Sequence, residues 1–127
     1  MSYWYLAGRV LFVLIFITAA PRHFTHGDIQ HALGVPVAAV LVAVSGLMAI
    51  AGGLSIAAGY KTRWGAWLLV AFLLPVTLTM HAYWKLHDRV QIRVQQAMFA
   101  KNISMLGAAL LLTQFGAGPV SVDARNP

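Results

Sequence analysis

From Val35 to Ala58 the chain runs without a single charged side chain. A helix needs about 20 mostly apolar residues to cross the hydrocarbon layer of a bilayer. Inside that layer only helices and closed barrels satisfy their own backbone groups. This stretch therefore predicts a transmembrane helix. Residues 4–20, 64–84 and 97–115 form three further apolar runs, so the predicted class is all-α: an integral membrane four-transmembrane-helix bundle. Composition leads to the same place. The 127 residues are 60% hydrophobic and 9% charged, whereas a soluble domain carries about 25% charged residues to cover its surface. We read one domain over 1–127, with no linker and no low-complexity tract.

The absence of Cys excludes thiol–disulfide chemistry, thiolate metal sites and covalent c-type haem. Glu is absent too, and the only acids are Asp28, Asp88 and Asp123. The formal charge of +6 is spread over short connectors rather than gathered on a basic face, which argues against nucleic acid and for attraction to anionic lipid heads.

Taken in order, the first run contains Arg9 and opens on Tyr3, Trp4 and Tyr5, an interfacial aromatic belt. Thr18-Ala19-Ala20 resembles a signal-peptidase site, but no Lys or Arg precedes the run, which favours a retained helix. Pro21 ends it. A polar connector, PRHFTHGDIQHALG, follows, with room for a short helix capped by Asp28.

In the second run Ser45, Ala49, Gly53 and Ala57 recur every fourth residue, a small-residue stripe that lets another helix approach closely. Tyr60–Arg63 is a tight turn, making an antiparallel hairpin with the third run, where Pro75 is a tolerated kink. In the connector Lys85–Gln96, Val90, Ile92 and Val94 alternate with polar residues. A lone strand at a membrane surface would leave its backbone unpaired, so an interfacial helix or an extension of a neighbouring span is expected.

Four crossings put both termini on the same side, together with the Tyr60–Arg63 turn. The opposite side collects all five histidines, His23, His26, His31, His81 and His87, with Asp28, Asp88 and Lys101. Basic residues divide almost evenly. Arg9, Lys61, Arg63 and Arg125 lie on the terminal side, and Arg22, Lys85, Arg89, Arg93 and Lys101 on the other. The bias of basic loops toward the cytoplasm therefore sets no orientation.

Gly8-Arg9 in the first helix, SGLMAIAGGLSIAAGYKTRWGAWLL across the hairpin, then MHAYW, FAKNISMLGAALLL and GAGPVSVD together resemble the DoxX family of small four-helix membrane proteins. The resemblance covers nearly the whole chain. It implies a bacterial inner-membrane, multi-pass protein with cytoplasmic termini, serving as a small subunit of a quinone-linked oxidoreductase complex. Arg9, His81, Lys101, Asn102 and Asp123 match its motifs. On that basis His81 and Lys101 are the catalytic candidates, and Arg9, His81 and Asn102 are the cofactor-binding candidates, with quinone the implied cofactor. One departure is Ala49, where members often carry an acid before the paired glycines.

Each signal has a plainer reading. His81 could bind a quinone carbonyl and relay its proton, or it could satisfy a carbonyl of a neighbouring helix. His23, His26 and His31 with Asp28 offer metal-ligand chemistry, but their spacing matches no ligand signature, so no metal is assigned. Haem b would need a second histidine facing His81 across the bundle. For Arg9 we expect snorkelling to lipid phosphate, and for Lys101 either snorkelling or an ion pair with Asp28 or Asp88. Trp64, Trp67, Tyr83 and Trp84 read as interfacial anchors. The rival functions are a non-catalytic accessory subunit and a small-solute or lipid carrier. The expected partners are the lipid bilayer and either other membrane subunits or further copies of the chain.

Overall fold

A computed structural model describes residues 2–23 and 36–125, all of whose regular elements are helical. Helix α1 (Ser2–Ala19) continues into a 3-10 turn, Ala20–His23. Helix α2 is Pro36–Ala58 and α3 is Thr62–Met80. A second 3-10 turn, Tyr83–Lys85, leads to α4 (Arg89–Phe115), and a short α5 (Val122–Arg125) ends the described chain. The expected Asp28 cap, His26 and His31, and the side chain of His23 lie outside the described residues.

This is a membrane protein of several passes. Helices α2, α3 and α4 are long and apolar enough to cross a bilayer, and α1 is a shorter apolar helix. Its 18 residues rise about 27 Å, close to the thickness of the hydrocarbon core. Pro36 opens α2 at the one helical position where a missing N–H costs nothing. Packing runs α1 on α2, α2 on α3 and α3 on α4. Tyr5 lies against Gly118, so both ends of the chain share one face.

Small residues set the closest approaches, on two sides of α2. The stripe through Gly53 meets α1: a Cβ built there would stand 3.3 Å from Ile17 and near Phe16 and Val13. Gly52 turns to α3, where a Cβ would lie 2.9 Å from both the Gly65 carbonyl and Leu69. Between the helices sits a core of Val13, Phe16, Ile56, Leu69 and Leu73. The rings of Phe16 and Phe72 cross edge-to-face, with centroids 6.2 Å apart.

Two boundaries differ from the sequence reading. The third helix stops at Met80, not Trp84. There His81 turns out of the helix to hydrogen-bond Gln95 across 2.7 Å, and Tyr83 and Trp84 stack edge-on against Phe99 of α4. The fourth helix starts at Arg89, well before residue 97, because Asp88 accepts a hydrogen bond from the Gln91 backbone N–H and caps it. Continuing as a helix spares the connector the unpaired backbone of a lone strand.

Candidate functional site

Polar side chains gather at the two ends of the bundle, and the ends do different things. On the terminal face Arg9 is 3% exposed and does not snorkel. Its Nη1 donates to the Ile56 carbonyl (3.1 Å) and its Nη2 to the Val120 carbonyl. Thus a cation from α1 sits on the C-terminal carbonyls of α2, where the helix dipole favours it.

Arg63 does the same for α4, donating to the carbonyls of Thr113 (3.1 Å) and Gln114. The start of α3 is served by an anion. Lys61 adopts a left-handed conformation, φ 48°, and supplies no cap of its own. The Asp123 carboxylate replaces it, accepting from Lys61 N–H (2.7 Å) and Thr62 N–H (3.0 Å). The Asp123 N–H in turn donates to the Gly59 carbonyl at 2.8 Å.

Burial alone would push the Asp123 carboxyl up. The Thr62 and Lys61 N–H groups and the Arg9 charge outweigh it and hold the carboxyl below its ordinary value. The GAGPVSVD tail is therefore a strap that closes three helix ends, which is structural work. Arg9 belongs to it and not to a cofactor site: the ten residues from Arg9 to Ala19 put about 15 Å of helix between the strap and the other polar end.

At that other end, His81, Lys101 and Asn102 do come together. All three line a cavity of about 140 Å³ whose other described lining residues are apolar, among them Phe16, Ala49, Phe72, Val76 and Met105. Asn102 is 5% exposed. Its amide bonds no described residue and borders the cavity, whereas the fully buried unpaired side-chain atoms among the described residues are Arg9 Nε and Thr62 Oγ1.

Lys101 is exposed, and its Nζ rests 3.4 Å from the Met98 sulfur, a weak acceptor. Asp88 does not pair with it. Asp88 caps α4, and thirteen residues of helix separate the two by about 20 Å. The Gln95 carbonyl oxygen faces Nδ1 of His81, which assigns the ring proton to that nitrogen. Gln95 was missed by the sequence reading, since nothing in its spacing marks it. Among the described residues no group of three or more His, Cys, Asp or Glu could hold a metal ion.

With both ends described, the relationship to known proteins becomes informative. A model of the SURF4 family matches residues 1–126. The chain belongs to the SURF4 family. It is 29% identical to the ER-derived vesicles protein ERV29 of Saccharomyces cerevisiae over 98% of this chain. It is 31% identical to inner membrane protein YphA and 34% identical to inner membrane protein YqjF of Escherichia coli, over 94% and 93% of this chain. The chain spans 34% of the yeast protein's length and 88% of each E. coli protein's. No solved structure matches it.

Membership in SURF4 overturns both the DoxX resemblance and the oxidoreductase-subunit function drawn from it. The phrases that suggested DoxX do physical work in the bundle. GAGPVSVD is the strap, and FAKN carries the Phe99 ring contact and Asn102. The strap and the Phe99 ring contact specify helix ends and packing. Quinone entered with that resemblance and leaves with it.

Proposed function

We propose that this SURF4 chain is a membrane-embedded recognition protein, which holds a ligand in the cavity lined by His81, Lys101 and Asn102 without transforming it. The observation that carries this reading is Asn102, a residue 5% exposed whose amide bonds no described residue and borders the cavity it shares with His81 and Lys101. That amide is free to donate into the cavity, and ionisable or polar residues within membrane spans are functional candidates by default. A ligand would satisfy it. The name of the yeast relative ties that protein to ER-derived vesicles, and recognition at a membrane fits such a setting better than electron transfer does.

The test is a photo-crosslinking residue at Met105, which lines the cavity, in the full chain within native membranes. A discrete adduct is expected at position 105, absent when Val76→Trp fills the cavity and absent from exposed Leu111. Only the bulk lipid adducts seen equally at position 111 would overturn the reading.

A further inference from the structure

The cavity's chemistry narrows its ligand. Resting on the recognition reading, we propose that it takes the head of a single-chain anionic amphiphile: a carboxylate on an alkyl chain, with Lys101 as its counter-charge and Asn102 as a second donor. Four observations converge on this class.

The first is charge. Among the described residues Lys101 is the cation that lines the cavity, no acid lines it, and no carboxylate pairs with Lys101. A lysine beside apolar cavity walls without a counter-charge is completed by one anionic head. A single lysine matches a single negative charge, whereas a phosphomonoester brings about −1.5 to −2.

The second is donor geometry. A carboxylate accepts through two oxygens. Lys101 and Asn102 are neighbours in sequence on one helix, and both line the same space. The ammonium and the amide N–H groups thus supply donors for both oxygens, while His81 stays fixed at the rim by Gln95.

Size is the third. A cavity of about 140 Å³ is well below the roughly 300–1,000 Å³ of sites that enclose drug-sized molecules. At about 30 Å³ per water it equals some five waters. That accommodates a carboxylate and its first few carbons.

The fourth is the way out. Phe16, Phe72, Leu73, Val76 and Met105 make an apolar wall for the chain. Among the described elements the main packing joins consecutive helices, which makes the seam between α1 and α4 beside the cavity the route by which an alkyl tail would reach lipid.

The experiment uses the full chain in non-ionic detergent, titrated with the fluorescent eighteen-carbon acid cis-parinaric acid. Saturable binding at one site is expected, displaced by oleate. The methyl ester of the same acid, Lys101→Met and Asn102→Leu are each expected to bind about tenfold more weakly or worse, as loss of a charged hydrogen bond implies. Lys101→Arg is expected to stay near wild type, which separates charge loss from misfolding.

Equal binding of the methyl ester, or no effect of either variant, would overturn the proposal. So would displacement by lysophosphatidate as readily as by oleate, which would assign a phosphate head instead. Absent parinarate binding with the Met105 adduct still present would overturn the carboxylate ligand and leave the recognition reading standing. Loss of both would sink the two together.

Discussion

Arg9 and Asp123, near opposite ends of the chain, grip the two sides of one turn. The Arg9 guanidinium holds the Ile56 carbonyl where α2 ends, and the Asp123 carboxylate holds the Lys61 and Thr62 amides where α3 begins. Each charge complements the helix end it meets. Together they tie α1 and the tail to the α2–α3 hairpin, on the face away from the cavity.

Removing the cation should loosen the strap. Arg9→Gln leaves the Ile56 and Val120 carbonyls short of donors, with an expected cost of about 1–3 kcal/mol. Thermal unfolding in mild detergent reads it out, and an unchanged melting temperature would refute the strap.

Asp123 makes the strap acid-sensitive, and the sign follows from its lowered carboxyl. A group whose folded value lies below its unfolded one stabilises fully above the unfolded value, 3.8 for this residue type. It loses that contribution as pH falls through the lowered folded value. Tail protection from protease is therefore expected to hold at neutral pH and to fail only in acid below the ordinary aspartate range. Asp123→Asn should remove that pH step. A step persisting in the variant would assign it to another group.

Gly59 is the position where the turn tolerates no side chain. Its φ is +71°, and a Cβ would run into the Arg9 guanidinium and Ser121. Gly59→Ala is expected to destabilise by about 1–3 kcal/mol through strain and overpacking. Gly107→Ala, with nothing within 4 Å of its Cβ, should be neutral or better. Equal effects of the two in unfolding experiments would contradict the close approach.

The two glycines of α2 should rank differently. Gly52→Ala meets the Gly65 backbone carbonyl at 2.9 Å, whereas Gly53→Ala meets the flexible Ile17 side chain at 3.3 Å. The first is expected to cost more, since the backbone cannot give way as a side-chain tip can. Reversed melting temperatures would reassign the faces of α2.

These residues also show what the sequence made legible. The all-helical class follows from the length of uncharged runs, and the small-residue stripe correctly marks a helix contact. The Asp88–Gln91 spacing is a recognisable helix start, so the early beginning of α4 could have been read from it. The role of Arg9 could not. Its partners are backbone carbonyls and a tail from the far end of the chain, and backbone acceptors leave no mark in residue identity. Family resemblance misled for a related reason. Motifs that fix helix ends are shared by bundles of unlike function, and function lives in the site and not in the fold. His81, Lys101 and Asn102 stood out as polar residues near one membrane face. That they share one cavity depends on the rotation of α4 against α3, which spacing alone did not supply.

The most direct test of the cavity as a binding site pairs occupancy with stability in Asn102→Leu. Replacing an amide that bonds no described residue with an apolar side chain of similar size is close to neutral or stabilising for the bare fold. Native mass spectrometry of the gently solubilised full chain is expected to show a retained ligand in the wild type and none in Asn102→Leu, with a melting temperature for the variant no lower than that of ligand-free wild type. A wild type with no bound mass, or a variant that keeps the same one, would contradict the site.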